Sequence, residues 1–230
     1  MNNLILLCIL FFPILCAAQQ KVEAGIFGGF ANYQGDLVSD PIALSETKVS
    51  YGAFLRYQVS DKLKAKINVV LGFISGADKN DKKGSIRPRG WSFSSNLLEV
   101  SVVGEYHPFG RKRYGETGLF RRQVSPYAFA GFGMINANPK VSVTDPNDAA
   151  LFPESDFNAT SLCFPVGLGV RVDLLENISI GFEGGWRPTL YDYLDGVSQT
   201  GNPDGKDLYV FFGATLSYFF GSIESFDFGQ

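Results

Sequence analysis

The chain has 230 residues, a formal net charge of −3, 45% hydrophobic residues and 19% charged residues. That balance excludes a disordered chain, which lacks apolar residues, and a nucleic-acid binder, which carries a basic excess. A high content of Gly (26) and aromatic residues (14%, with 21 Phe) suits a β protein whose strands carry large apolar residues on one face and small ones on the other.

Residues 4–18, LILLCILFFPILCAA, form the only long apolar run. At the N-terminus, too short for a membrane helix of about 20 apolar residues and ending in Cys16-Ala17-Ala18, it predicts a cleaved signal peptide over 1–18. The segment before it lacks Lys and Arg, and Leu15 is a poor residue before a lipid-bearing Cys16. Cleavage leaves Cys163 as the one thiol, so an intrachain disulfide is excluded. Cys163 reads as a small buried residue, not a nucleophile.

The mature chain then alternates with a period of two. Strands are expected at 21–32, 48–60, 62–74, 97–107, 125–136, 162–173, 178–188 and 208–220. In KVSYGAFLRYQVS, for example, Val49, Tyr51, Ala53, Leu55, Tyr57 and Val59 share one face, and Ser50, Gly52, Phe54 and Arg56 the other. Soluble strands average about 5–6 residues, and tilted membrane strands need about 9–11. Length therefore points to the membrane. Connections at 60–62 and 174–177 are short, those at 33–47, 75–96, 137–160 and 189–206 long, and 108–124 intermediate. The expected fold is an all-β, eight-stranded, antiparallel up-and-down transmembrane barrel over 19–220. Short turns lie in the periplasm, long loops outside, and a short periplasmic tail covers 221–230. The expected location is the cell outer membrane, with its lipid as a partner.

Apolar faces must then meet lipid, and the opposite faces line the interior. Their charged members are Glu23, Arg56, Lys64, Lys66, Glu99, Glu105, Arg171, Glu183 and Arg187. Unpaired buried charge is costly, so this nearly balanced set predicts a network of ion pairs in the lumen. Lys66 and Glu105 lie on adjacent strands as direct partners, and Arg187 lies near the outer end. Eight strands enclose only enough room for side chains, so the lumen is expected to be plugged.

No catalytic, metal or cofactor site emerges. Gly131-Phe132-Gly133 and Gly167-Leu168-Gly169 lie inside strands, with no helix to follow for a nucleotide fingerprint. His107 is the one imidazole and falls at the periplasmic rim, so an enzyme is not expected. Asp192, Asp195, Asp204 and Asp207 lack calcium-loop spacing. Lys79, Lys82, Lys83, Arg87 and Arg89 fall in an outer loop, within reach of anionic head groups. Arg111, Lys112, Arg113, Arg121 and Arg122 occupy the longest inner turn and are the candidate contact for a periplasmic protein partner. Trp91 and Trp186 are expected in the outer aromatic girdle.

Several segments, in order, resemble the Bacteroidota outer-membrane barrel family that includes PorG of the type IX secretion system. They include Gly28-Gly29 through Tyr33-Gln34-Gly35-Asp36-Leu37; Ile74-Ser75-Gly76-Ala77-Asp78; Ser92-Phe93 with Leu98-Glu99-Val100; and Ser125-Pro126-Tyr127-Ala128-Phe129-Ala130-Gly131. Asn138-Pro139-Lys140, Pro165-Val166-Gly167-Leu168-Gly169-Val170, Gly184-Gly185-Trp186-Arg187-Pro188-Thr189 and Asp192-Tyr193-Leu194-Asp195-Gly196-Val197-Ser198 complete the set. The resemblance implies a non-enzymatic barrel associated with a periplasmic ring of PorK and PorN. Alternatives are an accessory barrel of another outer-membrane assembly, a free-standing structural or adhesive outer-membrane protein, and, less favoured, a lipid-modifying barrel enzyme.

Overall fold

Among the described residues the alternation yields nine strands: β1 (Val22–Gln34), β2 (Lys48–Gln58), β3 (Leu63–Ala77), β4 (Ser92–Tyr106), β5 (Val124–Ser142), β6 (Ala159–Cys163), β7 (Val166–Asp173), β8 (Ile178–Pro188) and β9 (Leu208–Phe219). The computed structural model describes residues 21–34, 46–78, 90–115, 117–145, 159–190 and 208–221. The expected signal peptide, the tail after 221, and the charged positions 79–89 and 192–207 lie outside the described residues. No described helix is long and apolar enough to cross a membrane, and the long elements are strands.

Two of the nine strands form one stave. β6 and β7 both pair with β5, and the register runs through without a shift, Ala137 facing Ala159 and Ala130 facing Val166. Only Phe164 and Pro165 separate them, because Pro165 has no N–H for the ladder. The Pro165 carbonyl still accepts from Gly131 N (2.9 Å), and Phe164 N donates to the Pro188 carbonyl (3.0 Å). Eight staves result, each antiparallel to its neighbours, and β1 pairs with both β2 and β9 to close the ring. The expected barrel is therefore the observed one.

The size of the barrel follows from its register. Tracing partners once around the ring leads from Val22 to Tyr57, Ala65, Gly104, Ala130, Val166, Trp186, Val210 and back to β1 at Asn32, ten residues along. With eight staves and ordinary strand spacings, that stagger sets a strand tilt of about 40° and an interior wide enough only for side chains.

Outward positions carry the apolar belt: Ile26, Leu55, Ile67, Val100, Leu168 and Phe182 are all exposed. In water such a surface would be unstable, and in lipid it is the required one. Several strands run further than expected at their outer ends, among them β3 to Ala77, β4 from Ser92 and β5 to Ser142. Their outward residues there, including Ser94, Asn96, Asn136 and Lys140, are polar and exposed. The ladder continues beyond the apolar belt, where no hydrophobic alternation marks it. This extension also corrects the placement of Trp91. Odd-numbered residues of β4 point inward, and Trp91, one residue before the strand, keeps that phase and is buried. Trp186 faces outward and is half exposed, as a girdle residue should be.

The outer half of the lumen is an apolar plug that includes Phe27, Tyr33, Ile74, Leu97, Ile135 and Phe211. Inward glycines give its rings and those below room to lie flat. Gly167 and Gly185 face each other across β7 and β8 beneath the Phe129 ring. A Cβ at Gly167 would sit 2.3 Å from the Gly184 carbonyl and 2.5 Å from Phe129 Cζ. Gly167→Ala is expected to destabilise the barrel by about 1–3 kcal/mol through overpacking. Gly28→Ala, at an outward position with nothing within 4 Å, should leave the urea midpoint unchanged. Equal midpoints for the two variants would show that the lumen is not packed in this way.

Candidate functional site: the inner mouth and its buried ion pairs

Below the plug the lumen becomes ionic, because the same inward phase places charged residues of six staves close together. Arg56 on β2 pairs with Glu23 on β1 (2.5 Å) and Glu105 on β4 (2.8 Å). Lys66 on β3 lies 3.2 Å from Glu105 and 2.8 Å from Glu183 on β8. Arg171 on β7 pairs with Glu23 (2.7 Å) and with Asp173 (3.1 Å). Tyr127 on β5 donates its hydroxyl proton to Glu183 (2.5 Å). Carboxylates shared between cations in this way satisfy the requirement that buried ions be paired and hydrogen-bonded. The rings of Phe54 and Phe129 flank the Lys66 ammonium at 5.4 and 5.5 Å from their centroids.

A second, smaller group lies toward the outer end. Glu99 accepts from Tyr209 (2.8 Å) and from Ser101 (2.7 Å), and lies 3.4 Å from the Arg187 guanidinium. Of the nine charged positions expected in the lumen, Lys64 stands apart. It is half-buried at the mouth, with no carboxylate of the described residues within salt-bridge distance. Asp173, Ser179, Tyr127 and Tyr209 belong to the networks although sequence reasoning did not single them out. All four fall on inward positions of their strands, which was the available signal.

The inner turn between β4 and β5 folds back under the mouth. Tyr114 bridges to Phe120, Arg121 N donates to the Arg113 carbonyl (2.9 Å), and Gly118 makes the bend with φ 73°. Within it the basic cluster expected to contact a partner divides. Arg111, Lys112, Arg121 and Arg122 are exposed. Arg113 is buried and points into the barrel, which removes it as a partner contact. Its Nε donates to the Glu176 carbonyl (2.6 Å), and its Nη2 donates to the Leu175 carbonyl (3.2 Å) and to Ser179 Oγ (3.1 Å). Its Nη1 lies 3.4 Å from Asp173. The Phe219 ring lies against the same guanidinium at 4.9 Å. Burial pushes the Arg113 guanidinium down from its ordinary value, while Asp173 pushes it back up. The fork of Arg113 staples the turn to the β7–β8 hairpin, and a charge count along the sequence cannot distinguish a staple from a solvated Arg.

His107 sits at the rim as expected, yet it is buried. Its Nδ1 lies 2.9 Å from Ser125 Oγ, its Nε2 lies 3.3 Å from Glu105, and its ring stacks on Tyr127 at 4.8 Å. Ser, His and Glu in a row invite comparison with a nucleophilic triad. Two facts argue against that use. Glu105 is already held by Arg56 and Lys66, and the cavity beside Ser125 has about 20 Å³, room for one water but not for a substrate. A concavity of about 770 Å³ lies outside the barrel between Tyr106 and Trp186, is lined almost wholly by apolar residues, and opens to lipid. Among the described residues, no group of three or more His, Cys, Asp or Glu side chains is placed to hold a metal ion. Cys163 is buried, free and part of the apolar plug.

Comparison with known proteins agrees with the architecture. Residues 2–227 match the family model described as a domain of unknown function, DUF6089. No curated protein matches. Neisserial surface protein A (NspA) is similar in structure, with 14% identity over 86% of this chain and 96% of its own, and a TM-score of 0.50. The outer membrane protein OprG from Pseudomonas aeruginosa matches at 12% identity, over 87% of this chain and 97% of its own, with a TM-score of 0.44. The N-terminal β-barrel domain of OprF from the same species matches at 17%, over 86% and 98%, with a TM-score of 0.40. At these identities the likeness concerns fold alone.

Proposed function

The chain belongs to the DUF6089 family and is an outer-membrane β-barrel, and from that premise we propose that it is a structural component of the type IX protein secretion system, as PorG is, holding periplasmic ring proteins such as PorK and PorN at the membrane. The plugged lumen supports a scaffold over a pore, since apolar rings and ion pairs occupy the width that a solute would need. The observation that carries the reading is the inner turn. It presents Arg111, Lys112, Arg121 and Arg122 together with exposed Phe109 and Leu119, and Arg113 fixes it in place. Charged groups around apolar anchors on a preordered loop favour fast and specific docking of a protein partner.

Secretion in the native bacterium tests the proposal. Reversing Arg111, Lys112, Arg121 and Arg122 to Glu should leave the barrel folded and inserted, because all four are exposed. Secreted type IX cargo in the medium should fall by about tenfold or more, the equivalent of about 1.4 kcal/mol of lost docking. Normal cargo levels from a strain carrying only the reversed barrel would sink the proposal.

A further inference from the structure

The small polar cavity at the inner mouth is unevenly charged. Lys64, Arg111, Arg113 and Arg171 line it, against Asp61 and Asp173. Asp173 is already committed, lying 3.1 Å from Arg171 and 3.4 Å from Arg113 and accepting from Ser179 at 2.7 Å. Lys64 has no carboxylate of the described residues within salt-bridge distance. Arg171 is buried, and its Nε–H finds no acceptor even though its Nη2 is fully engaged with Glu23, Asp173 and Ser179. A buried donor without an acceptor costs about 1–3 kcal/mol, more when charged, so it marks a place where an acceptor is missing. The cavity has about 20 Å³, the room of one oxygen-sized atom.

We propose that this mouth is a receptor site for a single carboxylate entering from the periplasmic side, with Lys64, Arg111 and the Arg171 Nε–H as its donors. One carboxylate oxygen fills the cavity, and the second remains at the entrance near exposed Arg111. A neutral amide could offer its oxygen to the same donors but brings no charge to balance the cationic lining. The carboxylate has two sources. Residues 222–230 of this chain carry Glu224 and Asp227 and no cation, and they follow directly on β9, whose Phe219 lies against Arg113. The other source is an acidic side chain of a periplasmic partner, a use that rests on the function proposed above, whereas the site itself does not.

His107 lines the cavity and is the one histidine of the chain, so it is a single reporter. The full chain, labelled with 15N-histidine and folded in detergent, is titrated with sodium acetate at constant pH 8 and constant total salt, and in parallel with acetamide. The expected result is a saturable shift of the His107 ring nitrogens with acetate and none with acetamide. Lys64→Gln and, separately, Arg111→Gln should each weaken the acetate response about tenfold. Arg111 is exposed, so its variant keeps the test readable if Lys64→Gln folds poorly. A response that strengthens in the Glu224→Gln, Asp227→Asn chain identifies the chain's own tail as the occupant. A response equal in both chains leaves the site open to a partner. No saturable shift in either chain, or equal shifts with acetate and acetamide, would mean that the cavity holds water only and would overturn the proposal. Either outcome is independent of whether cargo secretion fails in the charge-reversed strain.

Discussion

Replacing Glu105 by Gln is expected to lower the stability of the barrel by about 3–5 kcal/mol, the typical loss when one partner of a buried ion pair is removed. Glu105 faces two buried cations, Arg56 at 2.8 Å and Lys66 at 3.2 Å, and the His107 ring at 3.3 Å. A Gln carboxamide keeps the volume but turns an N–H toward donors, so both cations lose an acceptor in a space that water does not reach. With a denaturant slope of about 2 kcal/mol per molar, the urea midpoint of the protein in micelles should fall by roughly 2 M. The double variant Glu105→Gln, Lys66→Met should recover part of that loss, because it removes the stranded ammonium as well. A shift below about 0.5 kcal/mol, within the range of surface substitutions, would show that the network is hydrated and not a buried lattice of ions.

Arg113→Ala should release the inner turn while the barrel stays closed. The side chain makes three hydrogen bonds to the β7–β8 hairpin and one ion pair, and it stacks on Phe219. Charge-assisted bonds are worth about 1.5–3 kcal/mol each but do not add fully, so the turn should lose about 2–3 kcal/mol of local stability. Trypsin has four exposed sites there, at Arg111, Lys112, Arg121 and Arg122. When cleavage follows the open population, the loss corresponds to roughly 30- to 160-fold faster nicking with little change in the global urea midpoint. Arg113→Lys should fall between the two, since an ammonium cannot reproduce the planar fork. Cleavage unchanged from the parent would mean that the turn is held by its own hairpin contacts.

Strand number, direction and facing were legible because lipid outside and a packed lumen inside impose a strict period of two. The alternation of Ile26, Phe54 and Arg56, or of Leu168 and Arg171, has only one reading in a barrel. Where that contrast fades, the strands could be read only in part. Ser92 to Asn96 and Asn138 to Ser142 are polar on the outward face, so the readable alternation of β4 and β5 stops at the apolar belt, and with it the phase that turns Trp91 inward. Lumen charges could be identified from their face, and the direct Lys66–Glu105 partnership from the strand order. Which cation meets which carboxylate across the lumen depends on the ten-residue stagger, as when Lys66 on β3 reaches Glu183 on β8, and no local pattern encodes it. Arg113 illustrates the same limit at the inner turn. Its neighbours Arg111 and Lys112 are identical in charge, and only the fold decides that one of the three turns inward.

The most direct measurement is purification of the tagged barrel from its native membrane in mild detergent, with co-purifying proteins identified by mass spectrometry. Periplasmic ring proteins of the PorK and PorN kind should be recovered, lost when Arg111, Lys112, Arg121 and Arg122 are reversed and weakened at high salt, as an interface of exposed charges requires. Recovery of the barrel alone, or in a different envelope complex that survives the reversal, would contradict the proposed function.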